Sequence, residues 1–367
     1  MDRKTFLKTT AAAGLGTMAI PACTTEEVKQ NGKPFTGREY KWKMVTTWAP
    51  NFPILGEGCN FFAQWVRDMS GGQLDIKVYG AGELIPALEC FDAVSSGAAE
   101  CASGASYYWA GKSEIAPFFT TVPFGMNAQQ MNAWLYSGGG MDLWKELYAR
   151  FGLVPMPGGN TGVQMAGWFN KEINTMADFK GLKMRIPGLG AKVLSRAGGT
   201  PVLSSGSEIY TNLERGVIDA TEWIGPYHDY IMGFHKIAKY YYAPGWHETG
   251  STLELFFNKK EFDSLPVHLQ HIVESAAARF NIWVISAFEA QNNAYMQKLI
   301  QEEKADVRIF SKEILDTLRA YSREVLLELV EKDPFYKKVY QSYSTFLAQS
   351  QQWANYSEKL YYNNISL

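Results

Sequence analysis

The chain reads as an α/β protein of two lobes joined by hinge strands, with a long C-terminal helix behind them. Three observations predict this. Strands and amphipathic helices alternate through the first half, the pattern of parallel sheet with crossover helices. A helix–glycine–strand unit occurs at 89–100 and again at 210–219, as expected of two similar lobes. A helical pattern free of Gly and Pro then runs from Pro266 to about Lys304. At 1.5 Å per residue it would reach on the order of 55 Å, longer than one lobe.

In chain order, residues 1–23 have the form of an export signal. Arg3, Lys4 and Lys8 are basic, 11–20 is apolar, and Ile20-Pro-Ala-Cys23 ends in small residues. The apolar stretch is about half a bilayer span, so it predicts no permanent anchor. Arg3-Lys-Thr-Phe-Leu-Lys8 resembles a twin-arginine motif with Lys4 in place of the second arginine, which leaves both export routes open. The segment ending at Cys23 resembles a lipoprotein box with an atypical Pro21. Residues 24–40 are polar and read as a tether.

A β-branched alternation predicts a strand at 43–48, and Phe61, Phe62, Trp65, Val66 and Met69 predict a helix over 55–69. A strand follows at 74–79 and a helix at 86–94, where Pro86 suits a first turn. In the repeated unit, Gly97 and Gly216 are each placed to stop a helix in the left-handed conformation before a strand begins. The layout expected is lobe I over 41–160 and 246–265, lobe II over 161–245, a bridging helix over 266–304, and C-terminal helices over 305–367. Two of these last helices are predicted at 311–331 and 334–361.

Composition narrows the function. A net charge of −2 with interspersed signs leaves no basic stripe for nucleic acid. Cys59, Cys90 and Cys101 lack CxxC spacing and are expected to be buried free thiols. There is no GxSxG elbow, Walker loop or dinucleotide fingerprint, and His247-Glu248 lacks the second histidine of HExxH. His228, His235, His268 and His271 read as surface or packing residues. No enzyme is indicated.

One half of the chain does gather chemistry. Arg185 ends a strand predicted at 181–186, just before Pro187, where ligands bind in open α/β sheets. Gln164 falls in an alternating stretch read as a strand over 162–168. Glu222 and Trp223 follow a strand at 217–220 and precede the apolar turn Ile224-Gly-Pro-Tyr227, where a carboxylate needs a counter-ion. Glu248 has a similar setting after Pro244-Gly-Trp-His247. Arginine suits bidentate capture of a carboxylate. Two carboxylates, an amide oxygen and a main-chain carbonyl suit Na⁺ or Ca²⁺ and are not a zinc set. The group reads as a site that holds a small acid without transforming it. An exported glycoside hydrolase with Glu222 and Glu248 as acid and base is the alternative. The aromatics of 46–48 and 106–109 belong either to the cleft mouth or to the lobe core.

These residues resemble a known family over most of the chain from about Lys43 to Tyr361: the periplasmic binding subunits of tripartite ATP-independent periplasmic (TRAP) transporters, in the branch binding 2-oxo acids such as pyruvate. The segments that carry the resemblance are 159–168, Lys183-Met-Arg-Ile-Pro187, 216–223 and Pro244-Gly-Trp-His-Glu248. It implies a two-lobed periplasmic-binding-protein fold, a periplasmic location, a membrane permease as partner and no enzymatic activity. It implies that Arg185 clamps the substrate carboxylate. Gln164, Glu222, the Trp223 carbonyl and Glu248 would hold sodium or calcium, with Tyr107 and Asn160 near the substrate. It also implies a homodimer that exchanges C-terminal helices. His247 stands where the pattern has an aromatic or variable residue.

Overall fold

The computed structural model describes residues 37–365. The expected export signal, Cys23 and the tether as far as residue 36 therefore lie outside the described residues. The first part of the described chain runs β1 (Tyr40–Thr46), α1 (Leu55–Met69), β2 (Leu74–Tyr79), α2 (Cys90–Ser95), β3 (Cys101–Gly104), α3 (Ala128–Ser137), α4 (Gly140–Ala149) and β4 (Leu153–Asn160). A second part follows: β5 (Gly167–Phe169), β6 (Lys183–Arg185), α5 (Gly188–Arg196), β7 (Thr200–Val202), α6 (Gly206–Glu214), β8 (Ala220–Thr221), α7 (Pro226–Ile231) and β9 (Tyr240–Ala243). The chain then returns through β10 (Thr252–Asn258), α8 (Lys259–Asp263), α9 (Val267–Gln301), β11 (Asp306–Ile309), α10 (Lys312–Val330) and α11 (Pro334–Ala354).

Two sheets result. One is five-stranded in the order β2-β1-β3-β10-β4, the other six-stranded in the order β11-β9-β5-β8-β6-β7. In the first sheet β1 pairs parallel with β2 and β3, and β10 pairs antiparallel with β3 and β4. In the second, β6 runs parallel to β7 and β8, while β5 runs antiparallel to β8 and β9. The chain crosses between sheets at 161–166, at 244–251 and along α9.

Local sequence accounts for these elements. Helix α1 buries Leu55, Cys59, Phe62, Ala63 and Val66, spaced three or four apart, against the first sheet. Helix α3 starts at a reciprocal cap, with the Asn127 side chain accepting from the Gln130 amide and Gln130 accepting from Asn127. Gly97 (φ 80°) and Gly216 (φ 69°) both take the left-handed conformation expected of them. Each feeds a strand that leads directly to the site, β3 to Tyr107 and Tyr108, β8 to Glu222. Helix α9 is 35 residues long and packs on β4, α1 and α7, so it spans elements of both sheets.

The structure departs from the sequence reading in several places. The first strand ends at Thr46, two residues before the predicted end. Residues 305–367 are not helical throughout, since 306–309 add edge strand β11 beside β9. Helix α11 stops at Ala354 rather than 361. Residues 162–166 are not strand at all. Cys59, Cys90 and Cys101 are free and buried, and burial pushes the first two thiols up to about 12. Among the described residues no helix is long and apolar enough to cross a membrane.

Candidate functional site

Parallel register builds the first half of the site. Met184 pairs with Ala220 and Arg185 with Thr221, so Arg185 and Glu222 leave the same sheet edge side by side. Their side chains meet as a buried ion pair through Nη1 and Oε1. Arg185 Nε faces the Ser204 carbonyl and Nη2 the Tyr108 hydroxyl, each at 3.4 Å, and the guanidinium lies 5.4 Å from the Trp223 ring. Burial is the largest influence and opposes the charge on Arg185, but Glu222 together with Tyr108 and Tyr107 outweighs it and the net direction is upward. The guanidinium is fixed and always charged.

Two antiparallel crossing segments supply the second half. The Gln164 amide donates to the Glu248 carbonyl at 3.2 Å, and the Gly245 amide donates to the Gln164 carbonyl at 2.9 Å. Gly245 is required here, because a Cβ would strike that carbonyl. The Gln164 side-chain nitrogen donates to Glu248 Oε2 at 2.8 Å, and Ser251 Oγ donates to the same oxygen. Burial, then the nearby Glu222 carboxylate, hold the Glu248 carboxyl well above its usual range.

Every sequence-predicted residue is buried in this region, and most converge. One donor atom each of Glu222, His247 and Glu248 lie within 4.8 Å of one another. Glu222 Oε2 and Gln164 Oε1 are buried without a hydrogen-bond partner, as are Trp223 Nε1 and both His247 ring nitrogens. Asn160 differs: its Nδ2 donates to Thr252 Oγ1 at 3.2 Å and its Oδ1 accepts from the Gly162 amide at 2.9 Å, which shapes the turn entering the crossing segment. Tyr107 is buried with its ring 4.7 Å from that of Tyr108. Tyr108, which sequence reasoning passed over, is the one that touches Arg185. His247 was also missed as a donor. Its Nε2 lies 3.6 Å from Glu222 Oε2, so a nitrogen adjoins what was read as an all-oxygen set.

The remaining aromatics divide between the two expected settings. Trp109 belongs to the core, where its indole donates to buried Glu254 at 2.5 Å. Trp48 lines a small cavity with Thr47, Phe52, Gly206, Trp223 and Met232 at the edge of the site. His228 is a packing residue: its Nε2 sits 2.9 Å from the Pro53 carbonyl, and burial lowers it to about 3.

A buried carboxylate oxygen of Glu222 and a buried amide oxygen of Gln164, both left without donors in residues that flank Glu248, fit a hard cation. Gln164, Glu222 and Glu248 have the right donor chemistry to hold one. Two sheets joined by crossing segments at such a buried, charged site have the architecture of a solute-binding protein.

The model of the bacterial extracellular solute-binding protein family 7 (DctP) matches residues 44–333, and the chain belongs to that family. It is a substrate-binding component of TRAP transport, not an enzyme, and the glycosidase alternative falls. The chain is 40% identical over 365 residues, 99% of itself and 98% of the relative, to a monocarboxylate 2-oxoacid-binding periplasmic protein of Nostoc. It matches a TRAP solute-binding protein of Pseudoalteromonas atlantica with bound sodium and pyruvate (TM-score 0.87, 42% identity, 90% of this chain and 100% of that one). A Colwellia psychrerythraea protein with calcium and pyruvate matches equally well (TM-score 0.87, 42% identity, 89% and 100%).

Proposed function

We propose that the chain captures a small 2-oxo monocarboxylate together with a cation in the cleft between its sheets, outside the cytoplasmic membrane, and delivers it to the permease of a TRAP transporter. The observation that carries this is the pair of orphaned buried oxygens, Gln164 Oε1 and Glu222 Oε2, beside Glu248. Leaving such acceptors bare costs about 1–3 kcal/mol each, more for a charged one, and a cation removes that cost. Gln164, Glu222, the Trp223 carbonyl and Glu248 would hold the ion, which when bound offers its open positions to the carboxylate and 2-oxo oxygens of the ligand. Arg185 holds the carboxylate from the other side, through Nη2, whose contact with Tyr108 is long enough to yield. Tyr107 and Trp223 close the pocket, and Asn160 shapes its floor. With one guanidinium against two carboxylates and an incoming anion, a divalent ion leaves the cleft neutral.

The test is calorimetry with pyruvate on chelator-treated protein, alone and with Ca²⁺ or Na⁺ restored. Binding should require the ion, and Arg185→Ala should weaken it by about 2–5 kcal/mol, as for other truncated buried charges. Ion-independent binding, or near-unchanged affinity in the variant, would contradict the assignment. The same reading includes an export signal over 1–23, lipid attachment at Cys23 and a homodimer. Exposed Trp353, Tyr356 and Ile365 at the C-terminal end support exchange of helices between copies. Sedimentation should give a dimer for the full chain and a monomer after truncation before α11.

A further inference from the structure

We propose that His247 is a nitrogen ligand of the cation site, and that the chain therefore accepts a divalent borderline metal ion of the manganese-to-zinc series in the position that sodium or calcium would take. The inference rests on the cleft being the cation-assisted acid site described above.

His247 is 1% exposed, and neither ring nitrogen has a hydrogen-bond partner. An imidazole carries two polar ring nitrogens, and both are stranded inside the protein. The ring cannot swing out to water. Trp246 packs against it with centroids 5.4 Å apart, and α5 covers its base so closely that a Cβ on Gly190 would stand 3.1 Å from the His247 Cβ. The stranded nitrogen faces a stranded oxygen. Nε2 is 3.6 Å from Glu222 Oε2, and the donor atoms of Glu222, His247 and Glu248 span no more than 4.8 Å. With bonds of about 2.1–2.2 Å, two ligands on a tetrahedral ion stand about 3.4–3.6 Å apart. One ion thus meets the unmet needs of the imidazole and the carboxylate together.

The donor type then sets the choice of ion. Sodium and calcium take oxygen ligands, so the imidazole adds little to their hold. Nickel and zinc suit imidazole well and manganese less so; affinities generally rise from manganese through cobalt and nickel to copper and fall again at zinc. The nitrogen also adds no negative charge, so replacing it leaves the electrostatic attraction for calcium intact.

The experiment compares full-length, metal-depleted wild type with His247→Phe and His247→Gln, titrated with Ca²⁺, Mn²⁺ and Zn²⁺ in the presence of pyruvate. Wild type should bind Zn²⁺ at least tenfold more tightly than Ca²⁺. Both variants should lose at least tenfold in Zn²⁺ affinity, and more in Zn²⁺ than in Ca²⁺. Pulsed electron paramagnetic resonance of bound Mn²⁺ should show an imidazole nitrogen in wild type and none in the variants. A wild type without that nitrogen signal, or variants that lose Zn²⁺ and Ca²⁺ equally, overturns the proposal. Failure of wild type to bind pyruvate with Ca²⁺ instead breaks the underlying site assignment, and the two failures are told apart by that control. The glutamine variant, small and polar, guards against a phenylalanine that will not pack.

Discussion

Cation binding to the metal-free chain should expel a proton from Glu248. The ligand oxygens of Glu222 and Glu248 lie within 4.8 Å of each other in a buried site. At an effective dielectric near 20, two ionised carboxylates at that separation repel by about 3.5 kcal/mol. Burial adds to the penalty, while hydrogen bonds from Ser251 and Gln164 offset part of it. The Glu248 carboxyl is therefore protonated in the metal-free protein well above the usual carboxylate range. A divalent ion reverses the balance, because coordination needs the ionised form. Calcium affinity should rise about tenfold per pH unit through the acid range and then level off. Titration calorimetry at one pH in buffers of different ionisation enthalpy counts the protons directly. Protons should leave with the ion in the acid range, and none from Glu248→Gln. Identical heats in every buffer for wild type would refute the reasoning.

The sign for stability follows from the same shift. A carboxyl whose folded value is raised contributes stability that is full below its unfolded value and is lost as pH rises through the folded one. Chelator-treated protein should accordingly melt lower at pH 8 than at pH 5, and added Ca²⁺ should remove most of that difference.

A second buried carboxyl acts in the same direction away from the site. Burial lifts Glu254 to about 7 despite donors from Tyr148, Ser106 and Trp109. It should cost about 3 kcal/mol of stability between pH 4.5 and 7, and Glu254→Gln should flatten the pH dependence of urea midpoints measured with saturating Ca²⁺; an unchanged slope counts against the assignment. Gly245→Ala would drive a methyl into the Gln164 carbonyl and separate Gln164 from Glu248. Calcium affinity should fall at least about tenfold with the circular dichroism spectrum retained. Gly167 has φ 116°, and a Cβ there strikes the Thr221 carbonyl. Gly167→Ala should lower unfolding free energy by about 2–3 kcal/mol, and a loss under 1 kcal/mol in urea titration would show that the β5–β8 contact can give way.

Much of this was legible in the sequence because it depends on local chemistry. Arg185 before Pro187 marks a strand end, and a carboxylate inside Glu222-Trp-Ile-Gly-Pro226 signals a buried charge wherever the fold puts it. Other features depend on the fold alone. Val163-Gln-Met165 alternates like a strand, yet Gly162 (φ 72°) and Gly167 (φ 116°) break the extension on either side, and the hydrogen bonds of 164–166 are split among 248, 224 and 242 instead of running along one neighbouring strand. Edge strand β11 is four residues that pair only because α9 delivers them beside β9. The adjacency of Arg185 and Glu222 comes from a register between strands of three and two residues, too short to carry a readable period.

The donor set was the hardest part to see. Whether Tyr107 or Tyr108 reaches Arg185 depends on the rotation of one short 3₁₀ turn, Ser106–Trp109. Whether His247 points to solvent or to Glu222 depends on how 244–251 lies against 161–166, a contact held by Gly245 and its lack of a side chain. The proposed ion site is thus a property of the crossing segments between the sheets, beside the contact of Tyr108 with Arg185. If Gln164 and Glu248 hold the proposed cation with Glu222, ion binding would favour the arrangement of the crossing segments that brings them together, by the ion's differential affinity for it and by no more than that.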